Sequence, residues 1–453
     1  SAGLLRFLAE PLLASTSFAK RLFVFSDTAI CSGIPMMDVV FRLWIPILLE
    51  LPVNWNLTRA FSPSRGWAIG LAVAALLGST PTTAQETFKV GMVLVGPMQD
   101  GGWSQAHVEG SEYVKAKLPG VEFDYLDKVN PADRPNVRAS QVADDMIARG
   151  AKVIIFTSDD HKDDAIETAR KHPEIAVIHA SGDMAWKEGK NYIDLPNLAN
   201  IMPQMEAMRM VAGCAAALGS ETGKIGLLGP LINDETRRYA AAAYLGAKYC
   251  WETYRDRPEE LQFRVTWIGF WFNIPGVTLD PSKVADDFYN SGFDVVMSGL
   301  DTPEAAVQGK RAAEAGKRVR YTHYGLASGC NFAPEICLGV SYYNWGPGYK
   351  QLIEAARAGT FESQFLRPPI DWSDINNPDT SSAGFIMGEA LKPEDKAKLE
   401  EFIAGLGNGS IQLFKGPLNF QDGTPFLAEG EVASEVEIWY LGQLLEGMEG
   451  ASN

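Results

Sequence analysis

From Phe88 onward, short apolar runs alternate with longer amphipathic stretches. Phe88–Val95, Val121–Leu126, Val153–Phe156 and Ile175–His179 are brief and rich in β-branched residues, the pattern of strands buried on both faces. Between them, Ser104–Leu118, Asn136–Arg149 and Asp163–Lys171 repeat apolar residues at helical spacing. Ser104 stands at the expected N-cap of the first helix. This alternation predicts right-handed βαβ units around a parallel sheet. Asn191–Asn200 is polar and reads as a loop.

After a helix predicted over Met202–Leu218 the pattern restarts. Strands are expected at Lys224–Leu228, Gln262–Ile268, Asp294–Ser298, Val319–His323 and Leu338–Tyr343. Helices are expected at Asp234–Tyr254, Ser282–Asn290, Pro303–Ala315 and from Trp345 to Ala358. Two successive β/α series predict two similar lobes. The fold class expected is α/β, with two doubly wound parallel-sheet lobes joined by a hinge. Residues 85–196 form the first lobe, with about 343–375 returning to it; residues 197–342 form the second. Residues 376–453 are expected to pack on the lobes, with a helix at Lys392–Leu406, a hairpin turn at Asp422-Gly423 and frayed last residues.

Residues 1–84 follow another pattern. Arg65 precedes an apolar run ending at Gly78, and small residues lead to Ala84. This is the layout of a secretory signal peptide cleaved after Ala84, the alternative being a buried core helix. No cysteine follows the apolar run closely, so no lipid anchor is expected there. A second apolar patch, Leu43–Val53, lies upstream; residues 1–64 read as a translated extension, with Met36 or Met37 as a nearer start.

A net charge of −16 argues against nucleic acid and anionic membrane as partners. The five cysteines contain no Cys-x-x-Cys, and the five histidines no helical zinc pair. His107-Val-Glu109 lacks the Pro-Cys-x-x-Cys that a zinc deaminase would require, so no metal is expected. Cys330 and Cys337 flank a short loop and either bridge in an oxidising compartment or remain free thiols. No Gly-x-Gly-x-x-Gly follows a strand, and neither a phosphate-binding Gly-x4-Gly-Lys-Ser/Thr nor a Gly-x-Ser-x-Gly elbow is present. No cofactor and no catalytic residues are therefore expected.

The chemistry is expected at the carboxyl ends of the strands, where ligands of open α/β sheets bind. Asp100-Gly-Gly-Trp-Ser-Gln-Ala-His-Val-Glu-Gly110 joins the first strand to the first helix in such a place. With Gly223-Lys-Ile-Gly-Leu-Leu-Gly229, Thr266-Trp-Ile-Gly-Phe-Trp-Phe272, Asp301-Thr-Pro-Glu-Ala-Ala306, Asn344-Trp-Gly-Pro347 and Phe414-Lys-Gly-Pro-Leu-Asn-Phe-Gln-Asp-Gly423, it resembles the basic membrane protein (PnrA-like) family of ABC-transporter substrate-binding proteins. The resemblance covers Phe88 to about Gly447. It implies a type I periplasmic binding protein fold hinged by three crossovers, with purine nucleosides or nucleobases as common ligands. The Trp-bearing motifs are closest to the branch that binds purine bases. It also implies a periplasmic protein, a monomer, that hands its ligand to an inner-membrane ABC permease.

On that resemblance Trp103 and Trp271 would sandwich a flat heteroaromatic ring; each indole could otherwise be core or surface. Asp100 and Asp301 would accept in-plane hydrogen bonds, unless they only hold a turn and cap a helix. Ser104 and Gln105 at the helix start, and Ser158 and Asp159 on the same rim, would add polar contacts. Asn344 and Trp345 would line the cleft or pack at the hinge. Ser104 stands where the family usually has Asn, and Gly329 where an acid is common. No residue matches the family's ribose-contacting Lys, which favours a nucleobase over a nucleoside. The alternatives are a sensor subunit, a binding protein for a sugar or other polar solute, and a nucleoside-processing enzyme using Asp100 or Asp301 as base.

Overall fold

The computed structural model describes residues 87–255, 257 and 260–453. The expected signal peptide, its cleavage after Ala84, residues 1–64 and Cys31 lie outside these residues.

The first sheet is built as the apolar runs require. β1 (Phe88–Val93), α1 (Trp103–Lys117), β2 (Val121–Leu126), α2 (Ala139–Ala148), β3 (Ala151–Phe156), α3 (Lys162–Lys171), β4 (Ala176–His179) and β5 (Leu198–Ile201) follow in order. Every strand pair is parallel, and β1 lies between β2 and β3. Val90, Met92 and Val93 are accordingly fully buried. β5 corrects the loop expected over Asn191–Asn200: a four-residue strand, Leu-Ala-Asn-Ile, closes a polar stretch. It belongs to the first sheet, so the chain leaves that sheet after Ile201 rather than at 196.

The second series runs α4 (Met205–Gly219), β6 (Lys224–Gly229), α5 (Asp234–Arg255), β7 (Gln262–Trp267), α6 (Pro281–Asn290), β8 (Val295–Ser298), α7 (Glu304–Glu314), β9 (Arg320–Gly325) and β10 (Cys337–Tyr343). Local chemistry sets the helix ends. The Asp280 side chain accepts the Ser282 N–H at 3.0 Å, and Pro281 opens α6. The chain then returns through α8 (Gly346–Arg357), which packs on α1, to β11 (Phe365–Leu366) at the edge of the first sheet. It crosses again to β12 (Ala383–Met387), which pairs antiparallel with β10, the one departure from parallel pairing in the second sheet among the described residues. Three crossovers thus join the sheets, after β5, after β10 and after β11.

The C-terminal segment comprises α9 (Pro393–Gly407), a hairpin of β13 (Leu418–Asn419) and β14 (Pro425–Leu427), α10 (Glu435–Trp439) and β15 (Met448–Glu449). β15 corrects the frayed end: it adds to β7 in parallel, and Arg264 holds Glu449 at 2.7 Å. Cys330 and Cys337 form a disulfide. A second one, Cys214–Cys250, links α4 to α5 and had no signal in the spacing.

Candidate functional site

Between the two lobes lie two small, partly open cavities that share part of their lining. Val95, Trp103, Ser158, Asp159 and Ser181 wall the first cavity from the first lobe; Glu235, Trp271, Asp301 and Tyr324 wall it from the second. These residues follow the carboxyl ends of β1, β3, β4, β6, β7, β8 and β9, where two facing sheets converge. A larger groove, lined by Lys89, Arg149, Lys152 and Arg357 among others, lies at the opposite, amino ends of the first-sheet strands.

The lobes meet at backbone distance. A Cβ added to Gly102 would stand 2.2 Å from the Asp301 carbonyl oxygen. Beside it His323 Nε2 lies 2.9 Å from the Gly101 carbonyl oxygen. Burial pulls His323 down to about 4, so a neutral imidazole donates this bond. Gly329 packs behind that ring: a Cβ there would meet His323 at 1.9 Å. That position therefore serves packing, and an acid does not fit it.

The structure brings together Trp103, Ser158, Asp159, Trp271 and Asp301. Trp103 donates its indole N–H to the Thr157 carbonyl, and its ring meets Tyr343 and Trp345 edge-on. Trp271 is partly buried, and its N–H has no well-aligned partner, although the Asp160 carboxyl is near enough to be affected by it. Asp100, Ser104 and Gln105 do not wall the cavities. The Asp100 carboxylate accepts the N–H groups of Gly102, Ser104 and Gln105 at 2.9, 2.7 and 3.0 Å. Asp100 thus caps α1, correcting the cap expected from Ser104, whose hydroxyl accepts the Gly96 N–H at 3.1 Å. Gln105 turns to Glu109 at 3.2 Å. Asn344 donates to the Pro378 and Ser381 carbonyls at 2.9 and 2.7 Å, holding the third crossover. Trp345 stacks among His107, Tyr343 and Tyr349 as buried packing behind Trp103.

Carboxyl groups crowd the cleft. Asp301 is 4 % exposed, and burial, reinforced by Asp100, Glu235 and Asp160, pushes its pKa well up. Among the described residues no hydrogen bond reaches its carboxyl. Burial raises Asp159 as well, and burial with the neighbouring Asp159 lifts Asp160 to about 6. Glu235, in the first turn of α5, is raised to about 7 by burial despite the opposing Arg238. The pocket is thus lined by aromatic faces and by carboxyl groups whose raised pKa lets them donate as well as accept, apt for a flat ligand with polar edges.

The second cavity shares Glu235, Trp271 and Tyr324 with the first and adds Arg209, Thr236, Tyr239 and Trp267. Neither Arg209 nor Glu235 belongs to a motif that marks it in the sequence. The signal for Arg209 was its isolation in the apolar helix Met-Glu-Ala-Met-Arg-Met-Val-Ala. No group of three or more His, Cys, Asp or Glu among the described residues is arranged to hold a metal ion, and no described helix is long and apolar enough to cross a membrane.

The profile described as ABC transporter substrate-binding protein, PnrA-like, matches residues 87–362. The chain belongs to that family. This PnrA-like chain is 28 % identical over 366 residues to a purine-binding protein of Brucella abortus (strain 2308), covering 80 % of this chain and 93 % of that protein. It is 24 % identical over 365 residues to a putative ABC transporter glucose-binding protein of Haloferax volcanii, covering 81 % of each. Among solved structures, an ABC transporter solute-binding protein of Aeropyrum pernix K1 superposes with a TM-score of 0.56 at 14 % identity, over 74 % of this chain and 93 % of that one. One of Conexibacter woesei gives 0.52 at 18 %, over 72 % and 98 %. At these identities the structures establish the fold: this PnrA-like chain has the type I periplasmic binding protein architecture.

Proposed function

We propose that this protein is the periplasmic receptor of an ABC importer and carries a purine-like nucleobase in the interlobe cleft. One observation carries the reading: a cavity between the two lobes lined by Trp103 and Trp271 together with the buried Asp301 carboxyl, which no described side chain hydrogen-bonds. The ring of the base inserts between the indoles, and its polar edge meets the Asp301 carboxyl, which no described side chain hydrogen-bonds. Closure of the lobes buries the ligand, and the inner-membrane permease reads the closed form. No bond is made or broken.

Calorimetric titration of the full chain, stripped of carried-over ligand, against purine bases, their nucleosides and glucose tests this. Micromolar or tighter binding to a base is expected; binding to glucose with silence across the purines overturns it. Stacking on an aromatic contributes about 1–3 kcal/mol per base, so Trp271→Ala is expected to weaken base binding about tenfold or more. An unaltered affinity would remove the sandwich.

A further inference from the structure

The loop Asp100–Trp103 of the first lobe docks into a socket of the second. Asp301 meets it through its carbonyl oxygen, 2.2 Å from a Cβ added to Gly102. Gly325 meets it too: a Cβ there would stand 3.5 Å from the Gly102 carbonyl carbon and 3.6 Å from the Trp103 nitrogen. His323 Nε2 lies 2.9 Å from the Gly101 carbonyl oxygen. Phe332 completes the wall, its Cζ 2.8 Å from a Cβ added to Gly101. His323 and Gly325 belong to β9 and are fixed by the sheet. Phe332 stands outside it, in the loop between β9 and β10.

That loop is weakly built. It consists of two 3₁₀ turns, Ala327–Phe332 and Pro334–Ile336, a conformation with poor hydrogen-bond geometry that is rarely used in long runs. Ser328, Asn331 and Phe332 are exposed. Among the described residues two side-chain ties hold its middle. The Tyr321 hydroxyl donates to the carbonyls of Gly329 and Cys330 at 3.1 and 3.3 Å. The disulfide joins Cys330 to Cys337, seven residues on, at the start of β10. The covalent tie is thus one residue from Gly329, which packs behind the His323 ring, and two from Phe332. The other disulfide has a different setting: Cys214 and Cys250 are fully buried and join two core helices.

We propose that the Cys330–Cys337 disulfide is a closure staple, holding Gly329 and Phe332 where they complete the socket, so that tight retention of ligand in the cleft requires this bond to be oxidised. The proposal rests on the cleft closing around its ligand, as in the reading above. With the bond cut, the loop must be ordered again each time the socket forms, and ordering backbone costs entropy. The open form does not bear that cost. The apparent affinity therefore falls with the share of binding-competent form that is lost. A dithiol cuts the bond: the disulfide takes up two electrons and two protons and becomes two thiols, while the reductant closes into its own disulfide. Cys330 is partly exposed and open to such attack, whereas Cys214–Cys250 is shielded.

The test compares the full chain with its Cys330→Ser/Cys337→Ser double variant. Both are titrated with adenine, guanine, hypoxanthine, xanthine and glucose, and both are measured without ligand by small-angle scattering. The variant is expected to bind the wild-type protein's ligand about threefold to thirtyfold more weakly, to release it faster and to have the larger radius of gyration. A disulfide that only stabilises the fold would lower the unfolding temperature and leave affinity and radius unaltered, and that result overturns the proposal. Where the double variant does not fold, native protein treated with dithiothreitol takes its place, with cleavage of Cys330–Cys337 alone established by alkylation and mass spectrometry; reoxidation should then restore the affinity. Binding of glucose with silence across the purines overturns the purine reading and not this inference, because glucose then serves as the probe. Silence across the whole panel leaves the scattering comparison to decide, and equal radii overturn the staple.

Discussion

Replacing Gly102 with alanine will hold the two lobes apart and weaken ligand binding by about tenfold to a hundredfold. The added methyl would lie 2.2 Å from the Asp301 carbonyl oxygen, which belongs to the other lobe and is held by backbone on both sides. Neither side gives way as a flexible side chain would. Overpacking of this kind costs about 1–3 kcal/mol. Here the cost falls on the closed form alone, because the two loops part when the cleft opens. The apparent dissociation constant rises by the factor through which the binding-competent form is depleted. The Gly102 N–H can still donate to Asp100 after the substitution. The melting temperature of the ligand-free variant, measured beside the affinity, separates a loss of closure from a general loss of stability. Titration gives the affinity, and small-angle scattering with saturating ligand gives the compactness. An affinity equal to wild type, with the same ligand-induced compaction, would show that the lobes do not close through this contact.

The alternation of strands and helices was legible because each strand is buried on both faces and leaves an apolar run in the sequence. β5 was not, because only Leu198, Ala199 and Ile201 carry its hydrophobicity, and Asn200 is spent on the chain around it: its amide bonds the Ser181 carbonyl at 2.8 Å. β15 has two residues and exists only because β7 offers an edge. In the site, Trp103 and Trp271 could be singled out only through the family resemblance, since an indole after a strand reads equally well as core or surface. Asp100 looked like a ligand contact but is consumed by three backbone N–H groups of its own helix. Trp345 carried the same aromatic signal as Trp103, and only packing separates them, one lining the cavity and the other standing behind it. Glu235 sits in the first turn of a helix, where acids are usually solvated, and nothing local betrays its burial. Such burial arises from the meeting of two lobes far apart in sequence, which periodicity does not encode.

The hinge itself should fail first when Glu206 is altered. Glu206 opens α4 just after the first crossover, and Arg367 follows β11 at the start of the third. Their side chains meet at 2.6 Å, each 11 % exposed, and Arg367 also holds Glu435 of α10 at 2.8 Å. Glu206→Gln removes the only carboxylate that Arg367 and Arg238 share among the described residues, leaving two buried cations under-compensated. Breaking a buried pair in this way costs about 3–5 kcal/mol, readable as a shift in urea-unfolding midpoint. The pH dependence supplies a second check. Burial pushes the Glu206 carboxyl up, but Arg367 and Arg238 outweigh burial and leave it below its ordinary value. Its stabilisation is therefore complete above the unfolded pKa of about 4.3 and is lost as pH falls through the lowered folded value. Glu235 has the opposite sign: raised to about 7 in the fold, it makes the ligand-free protein lose stability as pH rises from about 4.3 to about 7. Stability measured from pH 3 to 8 should thus fall less steeply on the acid side in Glu206→Gln and decline less toward neutrality in Glu235→Gln, the other lowered and raised carboxyls keeping part of each limb. If Glu206→Gln unfolds at the wild-type midpoint, the ion pair does not hold the crossovers together, and the hinge must be held by packing alone.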